Sequence, residues 1–407
     1  MNKVEVKVVI GANYGDEGKG LAAHYFSQKA KEEHKSCLNV LFNGGCQRGH
    51  TVELKDGTRH IFHHFGSGFF DGAHTYFDQN FMVNPSAFMS ERKRLRTEMQ
   101  EFGNNLPVYI SPKCRVITPY DIYINQIVEK SRGNDRHGSC GWGIWETQRR
   151  YEDSVFNLTF EELINKTDCE LLEYMKDITV EYIPKRLEYY GITEIDEYYN
   201  MCIKSFNIAR WFIRSLREMQ ECVKLASFDE LRHKYDVIVF EGAQGLELDE
   251  DNEKAYPHVT ASSTTSRIPM ERIKDFNCNV EICYISRSYF TRHGAGPLTN
   301  ECHISKINPK IEDLTNVHND YQENIRYGHF NTIEFLRRVY RDSKTSLKIK
   351  PLAKISIMLT HLNYNTTDSE DYKIADRIIC NCDKLYTSRT KFAEDITSMP
   401  GIRGFLI

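Results

Sequence analysis

No stretch of apolar residues in this chain approaches the ~20 needed to cross a bilayer. The only apolar run near the start is broken by Lys3, Glu5 and Lys7, unlike a secretory leader. Charge of one sign is also lacking. A formal net charge of −4 makes no field that would draw in nucleic acid or an anionic membrane, so neither is expected as a partner. A phosphorylated ligand would have to be held by local groups. Twelve cysteines are present but without repeated spacing, and the Cys380-x-Cys382 pair has no companion at metal-ligand distance. Free thiols in a reducing, cytoplasmic compartment are the expectation. No internal repeat, low-complexity tract or Pro/Gly-rich linker divides the 407 residues, so one domain over 1–407 is the simplest organisation. With 40% hydrophobic and 27% charged residues, the composition is that of a globular enzyme.

What is present is a set of short runs rich in β-branched and apolar residues: Val4 to Ile10, Leu38 to Phe42, Val108 to Ser111, Asp236 to Phe240, Val280 to Ile285 and Ile355 to Thr360. They read as buried strands of an α/β fold with a central, mostly parallel sheet. Each ends in a polar or glycine-containing loop, and such folds bind ligands at the carboxyl ends of parallel strands. Between them lie helical insertions. Thr159 and Glu162 have capping-box spacing at the head of a helix expected to run through Leu171. Tyr199 to Leu225 carries Ile203, Phe206, Ile208, Trp211, Phe212 and Leu216 at helical spacing, which predicts one helix packed on the sheet.

The strongest local signal is Gly15-Asp16-Glu17-Gly18-Lys19-Gly20, directly after the first strand and before a helix. A glycine-rich strand-to-helix turn lets backbone amides approach phosphate oxygens, and the helix N-terminus favours an anion there. Lys19 supplies a point charge to a phosphate. The loop is P-loop-like without being a Walker A box, since the four-residue spacer between glycines is missing. Asp16 is unexpected in a plain phosphate cradle, because a carboxylate repels phosphate unless it binds Mg²⁺ or acts as a base. Alone, the loop reads equally well as a tight turn bearing solvated charges.

Four further motifs follow in order: Gly44-Gly45-Cys46-Gln47-Arg48-Gly49-His50-Thr51, Glu241-Gly242-Ala243-Gln244-Gly245, Tyr256-Pro257-His258-Val259-Thr260 and Thr291-Arg292-His293-Gly294-Ala295-Gly296-Pro297. Together with the glycine loop they resemble the adenylosuccinate synthetase family, from about residue 4 to residue 297 and weakly beyond. The resemblance implies a C–N ligase that condenses a purine monophosphate with L-aspartate at the expense of GTP or ATP through a 6-phosphoryl intermediate. It implies Mg²⁺ as cofactor and a homodimer, with Arg149 or Arg150 near the place of an arginine that reaches the partner's nucleotide. Residue by residue, it makes Asp16 the base for the purine N1 proton and a Mg²⁺ ligand, with the Gly49 carbonyl as a second ligand. His50 would donate to the phosphoryl group in flight, and Lys19 and Gln244 complete the catalytic set. Gly15, Glu17, Gly18, Gly20 and Thr51 join the triphosphate site. Gln47, Ser139, Cys140, Gln244 and Thr260 fall at the purine monophosphate.

The departures bear on the substrates. The family's guanine-reading Thr-Lys-Leu-Asp appears as Thr360-His361-Leu362-Asn363, and an Asn both donates and accepts where Asp only accepts, which opens the site to ATP. The arginine-rich aspartate loop appears as Tyr321-Gln322-Glu323-Asn324-Ile325-Arg326-Tyr327-Gly328, leaving Arg326, with Arg292 and His293, as amino-acid contacts, Arg326 also at the nucleotide. Thr-Thr-Gly-Arg-Gly becomes Ser139-Cys140-Gly141-Trp142-Gly143, and Asn-Ala-Gly-His becomes Gln47-Arg48-Gly49-His50. Such changes resemble viral relatives that aminate deoxyguanylate with ATP, but those carry Ser where this chain has Asp16. The balance favours inosinate, with (d)GMP plus ATP as the alternative. A catalytically inactive nucleotide-binding paralogue is the reading of another class, and joint retention of Asp16, His50 and Gln244 argues against it.

Overall fold

The computed structural model describes residues 3–98, 106–309, 321–322, 324–362 and 368–404. Its frame is a ten-stranded sheet. The order across it is Thr397–Pro400, Lys384–Thr387, Lys354–Thr360, Cys278–Arg287, Val4–Gly11, Val237–Glu241, Cys37–Leu41, His74–Phe77, Val108–Ile110 and Lys224–Leu225. Neighbours pair in parallel except Lys384–Thr387 with Thr397–Pro400 at one edge. The six strands expected from apolar runs are all present, each within a residue or two of its predicted ends.

Register sets the site. Val9 lies beside both Glu241 and Cys283, Gly11 beside Ile285, Leu41 beside Glu241, and Arg287 beside Thr360. The carboxyl ends of five central strands therefore form one rim, and the motif loops leave from it. Side chains alternate across the sheet. Val6, Val8 and Ile10 pack on one face with Phe240, Ile282, Phe335 and Val339. Val9, Val237, Val239 and Cys283 pack on the other against Leu21, Ala22, Ala23 and Phe26 of the helix Lys19–Glu32. That helix starts at the glycine loop, so burial of its apolar face fixes the loop against the sheet.

Between Val108–Ile110 and Lys224–Leu225 the chain inserts a helical layer whose core joins Ile124, Leu171, Met175, Phe212, Leu216 and Met219 to Val108 and Ile110. Two expectations are corrected here. The helix headed by Thr159 stops at Ile164, and a second capping box, Thr167 with Glu170, starts a new helix, Asp168–Asp177. The span from Tyr199 divides at Ser205 into Glu197–Lys204 and Phe206–Gln220, and Lys224–Leu225 is a strand. Trp211 and Phe206, counted among the packing positions, are more than half exposed. Among the described residues, no helix is long and apolar enough to cross a membrane.

Candidate active site

The glycine loop leaves the sheet through a crowded point. A Cβ on Gly11 would fall 2.3 Å from Glu17 Oε2 and 2.5 Å from the Gln244 carbonyl oxygen, so only glycine fits. Gly15, Asp16 and Gly18 have φ of 96°, 54° and 96°. Asp16 thus holds a left-handed conformation uncommon for a residue with a Cβ. Arg287, at the tip of its strand, secures it: Nε donates to the Asp16 carbonyl at 2.6 Å and Nη2 to Oδ2 at 2.5 Å. The Thr291 hydroxyl donates to the Gly15 carbonyl at 3.1 Å. Burial would raise the Asp16 pKa, but Arg287, with His293, His361 and Lys19 behind it, holds it down at about 2. Arg287 thus favours the ionised form of Asp16.

Lys19 is almost fully buried, its Nζ 3.8 Å from Glu17 Oε2. Burial lowers its pKa against the pull of Glu17 and Asp16. Burial likewise pushes Glu17 up to about 7, although the Asn13 N–H donates to Oε1 at 2.6 Å. Burial thus biases both groups toward their neutral forms. Thr360 closes the far side, its hydroxyl donating to the Glu17 carbonyl at 2.9 Å, and His361 follows it in the field of Arg287 and Asp16. Asn363 lies outside the described residues.

His50 opens the hairpin His50–Glu53 with Arg59–Phe62. The Lys19–Glu32 helix passes close by: a Cβ on Gly20 would sit 2.9 Å from His50 Cβ and 3.1 Å from the Thr51 carbonyl. His50 Nδ1 is 2.6 Å from Glu241 Oε1. Glu241 is fully buried at the end of its strand and also accepts from Arg48 Nη2 at 2.9 Å, from the Ser67 N–H at 3.0 Å and from the Ser67 hydroxyl. Burial works to raise its pKa, but Arg48, His50 and Ser67 hold it at about 2. Burial and the neighbouring Arg48 push His50 down to about 4 against the pull of Glu241. Lys19 lies within electrostatic reach of both Asp16 and His50, which joins the two loops.

Beside these groups is a cavity of about 440 Å³ lined by Gln47, Ser139, Cys140, Gln244, Thr260, Arg292 and His293, with Asn125, His258, Trp145 and Arg149 among the rest. All five residues read from sequence as monophosphate contacts are on its wall. Asp16, Lys19 and His50 do not line this cavity. Gln244 connects the two regions, since its Cα lies 3.7 Å from where a Gly15 Cβ would be, and its own φ is 65°. Both amide atoms of Gln47 are buried with no hydrogen-bond partner. Ser139 is tied to Asn125 Oδ1 at 2.9 Å, and burial raises the Cys140 thiol to about 11.

The two arginines read as amino-acid contacts are engaged with the protein. Arg292 donates to the carbonyls of Ala295, Pro297 and His258 at 2.9, 3.1 and 2.9 Å, and burial lowers its pKa to about 10. Arg326 pairs with Glu301 through Nε at 2.8 Å, donates to the Gly294 and Gly296 carbonyls at 3.0 and 2.8 Å, and does not line the cavity. Together they brace the loop after Thr291. Sequence reading missed Glu241, Arg287 and Ser67 as parts of the site. For Glu241 a signal existed: a carboxylate ending a strand of otherwise apolar residues needs buried partners.

The sequence profile described as adenylosuccinate synthetase matches residues 8–399. The chain belongs to the adenylosuccinate synthetase family. It is 27% identical over 384 residues to the adenylosuccinate synthetase of Psychrobacter arcticus, covering 89% of this chain and 81% of that one. With that of Shewanella loihica it shares 31% over 305 residues, 72% of this chain and 64% of the relative. In three dimensions it resembles the fully ligated adenylosuccinate synthetase of Plasmodium falciparum, with a TM-score of 0.60, 19% identity and coverage of 99% and 89%. It also resembles the succinoaminodeoxyadenylate synthetase of cyanophage S-2L bound to dGMP and dATP, with a TM-score of 0.65, 15% identity and coverage of 98% and 97%. As an adenylosuccinate synthetase family member, the chain is an enzyme of the C–N ligase type, with the mixed α/β fold of these structures.

Proposed function

We propose that the chain condenses inosinate with L-aspartate, using GTP or ATP, to give adenylosuccinate, the nucleoside diphosphate and phosphate. The observation that supports this most is the convergence of Asp16, Lys19 and the His50–Glu241 pair at adjoining strand tips, with Gln244 joining them to a nucleotide-sized cavity. The purine lies in that cavity, its phosphate toward Ser139, Cys140 and Thr260 and its reacting edge toward Gln244. The triphosphate lies on the glycine loop at the head of the Lys19–Glu32 helix.

An amine does not readily displace the oxygen at purine C6, because the leaving group is poor. Asp16 takes the N1 proton, O6 attacks the γ-phosphorus and the nucleoside diphosphate leaves. The amine then attacks C6 and phosphate departs, so one hard step becomes two easier ones. Asp16 enters this step already ionised and held in place by Arg287. His50 has Nδ1 committed to Glu241 and so meets the transferring group through Nε2. It donates from there as imidazolium, the form that nearby phosphate charge favours. Asp16, 23% exposed and ionised, and the carbonyl of the exposed Gly49 are hard oxygen ligands of the kind that suits Mg²⁺. Bound there, the ion would neutralise charge on the β- and γ-phosphates.

A second reading, (d)GMP with ATP to give a 2-aminoadenylosuccinate nucleotide, is supported by Asn363, which both donates and accepts where the family's guanine-reading Asp only accepts. The family's homodimer is carried over with it. Arg150 has its donors committed inside its own subunit, which leaves Arg149 as our choice for the family's crossing arginine. The test is a matrix of inosinate, guanylate and deoxyguanylate against ATP and GTP, with aspartate and Mg²⁺, read by product mass. An aspartate adduct in at least one pair is the expected result, and Asp16→Asn should abolish it while triphosphate binding remains. Phosphate release that needs neither monophosphate nor aspartate would refute the reading.

A further inference from the structure

Where the family pattern Asn-Ala-Gly-His has alanine, this chain has Arg48. We infer that Arg48 is a positioning residue for phosphoryl transfer, its guanidinium holding the Glu241 carboxylate in the one orientation that fixes the ring of His50. The inference rests on reading the chain as a synthetase.

The geometry is specific. Glu241 Oε1 accepts from three groups at once: Arg48 Nη2 at 2.9 Å, His50 Nδ1 and the Ser67 hydroxyl. Oε2 is held by the Ser67 N–H at 3.0 Å. An oxygen shared between a guanidinium and an imidazole ties their placements together, because rotation of the carboxylate to suit one breaks the other. Arg48 is anchored independently, through Nη2 to the Phe65 carbonyl at 3.2 Å, and its side chain is 1% exposed. The acceptors its guanidinium reaches are both protein oxygens, Glu241 Oε1 and the Phe65 carbonyl, so it acts through Glu241. Its Nε and Nη1 are buried without partners. Donors left unsatisfied in a core are unfavourable, so an arginine is a poor choice here for packing alone. With alanine, one of the four donors to Glu241 is absent and the fully buried carboxylate loses its cationic neighbour.

The test uses the full chain with Mg²⁺ and whichever substrates the wild type turns over. Wild type, Arg48→Ala, Arg48→Met and Arg48→Lys are compared by kcat, by KM for each substrate, and by positional isotope exchange of ¹⁸O from the βγ bridge of the triphosphate, with monophosphate but no amino acid. That exchange reports phosphoryl transfer alone. Arg48→Ala is expected to lower kcat and exchange on the order of 10–100-fold with KM values changed by less than about threefold. Arg48→Lys, which returns a cation to Oε1, should recover a substantial part. Arg48→Met keeps the packed stem and repeats the loss should the alanine variant not fold. A folded Arg48→Ala or Arg48→Met variant with wild-type kcat and exchange overturns the inference. So does a loss that falls on KM, or one that tracks melting temperature without rescue by lysine. In each of these cases the synthetase reading stands, because wild type still turns over. A wild type that makes no adduct overturns both.

Discussion

Arg287 grips Asp16 at two points, the backbone carbonyl through Nε and the carboxylate through Nη2, from 271 positions away in the chain. One contact stabilises a left-handed aspartate and the other keeps its carboxylate charged. Arg287→Leu removes both. Opposing charge is then lost while burial stays, so the Asp16 pKa rises from about 2 toward or above the ordinary carboxylate value. In the wild type the stability linked to Asp16 is present above about pH 4 and lost as pH falls toward 2; the variant lacks it. We expect about 1–3 kcal/mol less stability at pH 7 in urea unfolding. The acid limb of the pH–rate profile should move upward, and an unmoved limb would show that Arg287 does not set the charge on Asp16.

Burial holds His50 away from its charged form. Burial and Arg48 place its folded pKa at about 4, so the folded state prefers neutral imidazole. Stability from this preference is full above the unfolded value near 6.5 and is lost as pH falls through that value toward 4. The whole effect is about 3 kcal/mol. His50→Asn should flatten this part of the curve, checked by urea midpoints at several pH values between 4.5 and 7.5. Parallel curves for wild type and variant would contradict it.

How far these relationships could be read in advance follows from their range along the chain. Strands such as Cys37–Leu41 and Val237–Glu241 announce themselves as largely apolar runs because both faces are covered. His74–Phe77 does not, since His74 and Thr75 read as polar, and only the fold supplies their partners, the Tyr235 hydroxyl at 2.6 Å and the Gly66 N–H at 3.0 Å. Lys224–Leu225 is two exposed residues whose pairing with Tyr109 and Ile110 has no local signature. The break at Thr167 was legible, as its capping box has the spacing already recognised at Thr159, but continuous polarity around it masked the boundary. At the site, the residues within a motif were visible because loop chemistry is local. Glu241–His50 spans 191 positions, and no spacing rule links them.

Arg149 and Arg150 are adjacent in sequence yet differ in every physical respect. Arg150 is fully buried and bonds Asp121, Phe156, Tyr174 and Val116. Arg149 is 37% exposed, pairs with Glu152 one turn on and lies over Trp145. Arg150→Met strands the buried Asp121 carboxylate and should cost about 3–5 kcal/mol in chemical denaturation. Arg149→Ala should change stability by less than about 0.5 kcal/mol. If Arg149 serves the partner's site, mixing inactive Arg149→Ala with inactive Asp16→Asn subunits restores up to about a quarter of wild-type activity, since each mixed dimer regains one intact site. No recovery on mixing would place the crossing arginine elsewhere.

Gln47 separates binding from folding more sharply. Its amide nitrogen and oxygen are both buried without partners on the cavity wall, while Gly44 and Ala243 pack close behind, a Cβ on Gly44 falling 3.2 Å from Nε2 and 2.8 Å from Ala243 Cβ. An amide in that state has hydrogen-bonding capacity left for a polar ligand. Gln47→Leu, close in volume, should leave stability unchanged or raise it by about 1–2 kcal/mol. The same change should weaken purine monophosphate binding about tenfold or more, because the ligand's own polar groups then face a methyl surface. Calorimetry on one preparation reads both quantities, and their opposite signs are the point. A structural glutamine would lose stability and leave affinity alone, whereas a ligand-facing one gains or holds stability and loses affinity.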